Sequence, residues 1–432
     1  MTAEGHAVLR GRATPRQKFG TTRLYRDAGS MASSSVVNAG LGAAFWALAA
    51  NRFPPHELGV MTAVMAVIVS TGVVVASGIG DAYTALLPAV GTARPRLYRQ
   101  GQRAFWLITS ICAVGAAATT VLLLTEVRGS IGVAALVAFG ILAWSLVNVQ
   151  SSALVALGRA RWLPVVNTAA GVGKIALLLV LAATLRWHAF ELAFVIGATT
   201  VAVVLRPAIL RVVNTVTDSP AATLSEDAAM RMFNGFFARS VASSGLNFGV
   251  LMLSPFLVTA ISGPEQGALF ALALSIVQVL DLVGMAMVVS LVVHASSAPE
   301  SAWTMARAVL LRALALTLAG AVVMIALVPH ALRLLDPAYG ALGATSVIAV
   351  LCAVCVVRPV YTVWAGLQRA RRNIKMPLRF NLVFAIAVPA LMFAWCPGHG
   401  ALGGGTAILL AQSALSGAAA AQLIVNHRRE KG

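Results

Sequence analysis

The chain has 432 residues, of which 59% are hydrophobic and only 11% charged, yet its formal net charge is +18, from 32 Lys and Arg against 14 Asp and Glu. A water-soluble domain carries about a quarter of its residues as charge, so this composition excludes an ordinary globular enzyme. Apolar runs of about 20 residues, each long enough to cross a hydrocarbon core of roughly 30 Å as a helix, recur along the whole chain and make it an all-α polytopic membrane protein.

In chain order, a basic tail (1–30) precedes twelve predicted spans at 31–51, 59–80, 104–125, 130–156, 163–185, 188–210, 232–260, 266–293, 308–329, 341–366, 377–396 and 403–425, and a second basic tail (426–432) follows. The first run is read as a membrane helix rather than a cleaved leader, being too long for a signal-peptide core despite the small residues Ala47-Leu48-Ala49. When alternate connections are assigned to one face, 26 of the 32 basic residues collect there, among them Arg94, Arg96, Arg159, Arg161 and the 367–379 cluster. Only Arg52, Arg128, Arg186 and Arg333 fall on the other face. The positive-inside rule then places both termini in the cytoplasm and the chain in the plasma (inner) membrane. The charge surplus therefore reads as orientation and contact with anionic membrane lipids, not as nucleic-acid binding.

The two halves repeat at an offset of 210 residues. Ala32-Ser33-Ser34 aligns with Ala242-Ser243-Ser244, and Leu157-x-Arg159-Ala160-Arg161 with Leu367-x-Arg369-Ala370-Arg371. Glu57-x-Gly59 aligns with Glu265-x-Gly267 after a two-residue slip. Two units of six spans return the chain to its starting side, so the lobes 31–210 and 232–425, joined by a cytoplasmic linker at 211–231, are expected to be related by an axis along the membrane normal.

Ionisable groups near the bilayer centre cost about 2.5–3.5 kcal/mol each on insertion scales, which makes Lys174, Asp281 and Arg358 functional candidates. Arg239 lies a turn or two inside the seventh span and Asp81 at the end of the second, where it is a candidate gate. Gln278 and Asp281 share a helix face, as do Ser244 with Asn247 and Ser34 with Asn38. Asp281, a lone acid at mid-membrane by sequence, is the expected carrier of a coupling proton or cation. The bland alternatives are ion pairing of Arg358 and Lys174, a rest for Arg358 against Tyr361 and Thr362, and snorkelling of Arg239. Cys352-x-x-Cys355 lies inside an apolar span and reads as packing, and Gly398-x-Gly400-x-x-Gly403 as a flexible turn. No Walker loop or zinc-protease motif occurs, so no cofactor, no metal and no enzymatic activity are expected.

The opening Asn38-Ala-Gly-Leu-Gly-Ala-Ala-Phe45-Trp46-Ala-Leu-Ala-Ala-Asn-Arg52-Phe53-Pro54-Pro55-His-Glu57-Leu58-Gly59, the Leu86-Leu87-Pro88 after the second span and the Gly158-Arg159-Ala160-Arg161 turn carry a resemblance. They resemble the polysaccharide (O-antigen type) flippases of the multidrug/oligosaccharidyl-lipid/polysaccharide exporter superfamily. Leu291-Val292-Val293-His294-Ala295-Ser296 stands in the equivalent place of the second lobe without its proline, and Ala85 stands where the family commonly has Arg. The resemblance implies a two-lobed, MATE-like bundle of about twelve helices, with a cavity lined chiefly by spans one, two, seven and eight. It implies the flipping of a polyprenyl-linked saccharide from the cytoplasmic to the outer leaflet, with Arg239 meeting the lipid phosphate and Asp281, Gln278, Asn247, Asn38 and Ser34 meeting the sugar. A polysaccharide polymerase or glycosyltransferases are the expected partners. The alternatives are an ion-coupled drug or metabolite antiporter of the same superfamily and a polytopic glycosyltransferase.

Overall fold

The computed structural model describes residues 40–185, 188–215, 226–241, 245–297, 302–370 and 375–431, and every regular element among them is helical. In order these are α1 (40–52), α2 (Pro55–Leu86), α3 (Arg94–Leu123), α4 (Ile131–Ala156), α5 (Leu163–Thr184), α6 (Ala189–Asn214), α7 (Glu226–Ser240), α8 (Leu246–Ser262), α9 (Pro264–Ser297), α10 (Ala302–Leu335), the short α11 (Ala338–Ala341), α12 (Ala344–Ala370) and α13 (Lys375–Lys431), with single 3-10 turns between some of them. Each of the twelve predicted spans has helical counterparts. α6 runs on to Asn214 and α7 opens at Glu226, so helix enters both ends of the predicted 211–231 linker.

The boundaries follow local chemistry. Prolines stand in the first turns of α2, α3 and α5, where the missing N–H would lack an intrahelical partner in any case. Ser130 caps α4 by accepting from the Val133 N–H at 3.3 Å. The 57 residues of α13 would be about 85 Å long if straight, nearly three times a hydrocarbon core of roughly 30 Å. It is broken at Gly400 (φ 57°, ψ −135°), inside the turn predicted from the glycine cluster. The Ala401 N–H released there donates to Gln266 Oε1 at 2.9 Å. A β-carbon on Gly403 would lie 2.5 Å from the Trp395 carbonyl oxygen, so glycine is what lets the chain pack so tightly after the break.

Large apolar side chains are exposed on the outer helices: Leu107, Ile111 and Leu122 on α3, and Leu311, Leu318, Val322 and Leu327 on α10. Eight helices among the described residues are long and apolar enough to cross a bilayer, and these exposed faces are the ones lipid covers. The chain is a multi-pass membrane protein.

α2 is different, being buried along most of its length. It packs against α4 of its own lobe and against α7, α8 and α9 of the other. Hydrocarbon tails are as apolar as leucine, so helices in a membrane associate through close packing, which small residues permit. A β-carbon on Gly72 would fall 2.6 Å from the Trp144 ring, and one on Gly78 would fall 2.5 Å from Phe237. At one end of α2 the lobes touch backbone to backbone: a β-carbon on Gly59 would sit 1.8 Å from the Pro264 carbonyl oxygen. At the other end the Ser240 hydroxyl donates to the Asp81 carboxylate.

The helix partnerships of the first lobe recur in the second. α4 packs on α2, α3 and α6, and α12 packs on α9, α10 and α13, so the fourth helix of each six is the hub. That is the arrangement the 210-residue repeat predicts.

Candidate functional site

Between the two contacts at the ends of α2 lies a cavity of about 520 Å³. Phe45 and Trp46 of α1, Thr62, Met65 and Val69 of α2, Lys174 of α5 and Phe194 of α6 form one wall. Phe248, Leu251 and Met252 of α8, Leu274, Ser275, Gln278 and Asp281 of α9 and Arg358 of α12 form the other. The lining includes the predicted first, second, seventh and eighth spans and adds the fifth, sixth and tenth. Most of its surface is apolar, and two of its hydroxyls are internally satisfied: Thr62 donates to the Gly59 carbonyl at 2.9 Å and Ser275 to that of Ala271 at 2.7 Å. The polar chemistry therefore rests on Lys174, Gln278, Asp281 and Arg358.

Arg358 is buried on α12, one residue before Pro359. Its Nη1 donates to Asp281 Oδ2 at 2.5 Å, its Nη2 reaches Asn247 Oδ1 at 3.4 Å, and its guanidinium lies 5.6 Å from the centre of the Phe248 ring. Asp281 is thus not the lone acid of the sequence reading. It is half of an ion pair inside the second lobe, where charge-assisted hydrogen bonds are strong and breaking them strands the partner. Arg358 rests on Phe248 rather than on Tyr361, whose hydroxyl donates instead to Asn381. Asn247, predicted to line the cavity, is buried behind it as the second acceptor for Arg358, and its Nδ2 has no partner among the described residues.

Lys174 is the contrast. Its Nζ lies 5.2 Å from the centre of the Phe194 ring and 5.9 Å from that of Phe45, and no carboxylate pairs with it among the described residues. Its stem lies on the backbone of α6, where a β-carbon on Gly197 would be 2.7 Å from Lys174 Cγ. Two aromatic faces supply about 0.5–2 kcal/mol each at most. That is less than the several kcal/mol needed to take an ammonium out of water.

The remaining predicted positions separate. Gln278 lines the cavity with its Nε2 3.9 Å from Met252 Sδ. Arg239 is exposed on α7 and is not among the cavity-lining residues, which argues against its proposed contact with a phosphate held there. Asp81 is exposed at the end of α2, joined across the lobes to Ser240. Ser34, Asn38 and Ser244 lie outside the described residues. Cys352 and Cys355 are buried free thiols, as expected of packing residues.

Glu191, near the start of the sixth predicted span, is a residue the sequence does not single out. The structure buries it completely, with Oε1 3.2 Å from Nδ1 of His188, whose φ of 62° is the one positive value at a non-glycine among the described residues. The i, i+3 spacing of His188 and Glu191 was the available signal. The aromatic neighbours of Lys174 and Arg358 come from other helices and left no such signal.

No family model matches the chain, and no curated protein matches it. Solved structures do. An inward-facing multidrug resistance MATE family transporter of the MOP superfamily superposes with a TM-score of 0.65 at 14% identity, over 93% of this chain and 99% of that one. The lipid II flippase MurJ in an inward closed conformation gives 0.68 at 13% identity, over 91% and 86%. A MOP superfamily transporter from Pyrococcus furiosus Vc1, described as having a binding pocket of reverse polarity, gives 0.54 at 12%, over 95% and 96%. These neighbours are transporters, and at such identities the likeness is one of fold. The chain is a multi-pass membrane protein with the two-lobed, all-helical fold of the MOP superfamily transporters.

Proposed function

We propose that the protein is a transporter of the plasma membrane that moves a lipid-linked saccharide, held through an anionic phosphate or diphosphate, from the cytoplasmic to the outer leaflet. The observation that carries this reading is the charge of the cavity. Arg358 and Asp281 neutralise one another, so Lys174 is the one basic group among the described lining residues without a carboxylate partner, and its protonated form is an uncompensated positive charge among apolar walls. An anion on an otherwise apolar ligand relieves it. A cationic drug meets the opposite situation, since the one acid among the described lining residues is already held by Arg358. A volume of about 520 Å³ is that of an ordinary small-molecule pocket and holds part of a headgroup, with the lipid tail left in the bilayer.

In this reading the lobes rock about the α2 seam. The Gly59 to Pro264 contact and the Asp81 to Ser240 contact open alternately, and the cavity faces one leaflet at a time. With the termini cytoplasmic, an inside-negative potential favours the outward movement of each negative charge by roughly 2.3 kcal/mol per 100 mV. Depletion of the protein is expected to accumulate lipid-linked saccharide on the cytoplasmic leaflet, read by its protection from an impermeant lectin or glycosidase added to intact cells. Unchanged lipids together with altered drug export would overturn the flippase reading in favour of antiport.

A further inference from the structure

Of the three ionisable groups among the described lining residues, two are paired with each other. An arginine stays protonated under protein conditions. Asp281 is held by Arg358 at 2.5 Å, so this acid and this base are already engaged with each other. Lys174 alone can gain or lose a proton without breaking any such bond.

The groups packed around it leave that role to it. α5 carries no other ionisable residue, and the described part of α1 contributes Arg52 alone, at its far end. Residues 31–39, which precede α1, contain no Asp or Glu. α6 carries Glu191, six positions from Gly197 and engaged with His188, and Arg206 and Arg211 toward its opposite end. None of these forms an ion pair with Lys174 among the described residues. The facing wall offers only the closed Arg358 to Asp281 pair.

We propose that Lys174 is a substrate-linked proton site: its amine takes up one proton from water as an anionic headgroup enters the cavity, and gives the proton back when the headgroup leaves. The step is R–NH2 + H⁺ → R–NH3⁺ on loading and its reverse on release, so the proton travels with the anion and no other reactant is needed. Protonation and anion binding at one amine each favour the other by the same factor. The empty cavity is then neutral, with Arg358 balanced by Asp281 and Lys174 uncharged, and the empty carrier returns across the membrane without moving charge against the potential. The loaded cavity carries an ammonium against a phosphate. This deepens the anionic-headgroup reading above and rests on it.

The test is the equilibrium binding of farnesyl diphosphate, a soluble polyprenyl diphosphate, to the purified full-length protein in detergent, followed across the alkaline range above the last ionisation of the diphosphate. The affinity of the wild-type protein is expected to fall about tenfold per pH unit, the slope of one linked proton. Lys174→Arg, with a charge that cannot be shed, is expected to bind with no pH slope, and Lys174→Met to bind at least tenfold more weakly. Independently of any variant, binding by the wild-type protein in weakly buffered solution is expected to take up about one proton per headgroup, read with a pH dye. Lys174→Arg with the wild-type slope, or wild-type binding without proton uptake, overturns the proton site and leaves the headgroup reading standing. A wild-type protein that does not bind farnesyl diphosphate at any pH overturns both.

Discussion

The two walls of the cavity treat a basic side chain in opposite ways. On the second-lobe wall Arg358 is held by a carboxylate, an amide oxygen and an aromatic face from two other helices, so its charge is spent on joining α8, α9 and α12. On the first-lobe wall Lys174 has two phenyl rings and a glycine backbone around it and no carboxylate partner among the described residues. Depth in the membrane does not by itself make a charged residue functional. On the reading proposed above, the paired arginine fastens helices together, whereas the lysine, with no carboxylate partner among the described residues, is the anion site.

The sharpest test of this contrast is Asp281→Ala, which strands the Arg358 guanidinium and is expected to cost about 3–5 kcal/mol. Thermal unfolding of the detergent-solubilised protein reads the loss. Adding Arg358→Met to Asp281→Leu removes both charges, and the double variant is expected to recover most of that stability, because a buried pair replaced by apolar groups is often neutral. A double variant as unstable as Asp281→Ala would show that Arg358 has a role outside the pair. Next in size is Gly197→Val on the lysine wall. Its β-carbon would meet Lys174 Cγ at 2.7 Å, and overpacking of this kind costs about 1–3 kcal/mol. It should lower binding of farnesyl diphosphate more than its thermal shift accounts for, since it displaces the ammonium. Ser240→Ala removes the hydroxyl that reaches Asp81 and the Ser77 carbonyl across the lobes, and an expected cost of about 1 kcal/mol should appear as a lower midpoint of thermal unfolding. The smallest stability effect is expected of Lys174→Met, which keeps most of the stem and exchanges a partly desolvated amine for an apolar end: under about 1 kcal/mol, with a large loss of anion binding.

Much of the fold was legible in the sequence. Run length and hydropathy are properties of a single helix, and the twelve spans needed nothing else. The repeat was readable because Glu57-x-Gly59 and Glu265-x-Gly267 mark equivalent turns, and the structure brings the Gly59 turn against Pro264. The candidate site was legible as a roster and not as a set of relationships. Lys174, Asp281, Gln278 and Arg358 were all named for being polar in apolar spans, and all four line the cavity. That Arg358 reaches back 77 residues to Asp281 depends on how α9 and α12 cross, and no spacing within either helix encodes it. The same holds for Phe45 and Phe194 around Lys174. Arg239 is the complementary case: its depth along the span suggested the cavity, while the structure leaves it exposed on α7 and outside the described lining.

The most direct measurement is translocation of a fluorescent polyprenyl diphosphate-linked saccharide by the purified protein in proteoliposomes, comparing Lys174→Met with the Asp281→Leu, Arg358→Met double variant. The account predicts that the wild-type protein translocates the probe, that the double variant retains most of that rate, and that Lys174→Met loses at least nine-tenths of it while unfolding at nearly the wild-type temperature. Full translocation by Lys174→Met, with loss confined to a well-folded double variant, would contradict it and move the anion site to the second-lobe wall.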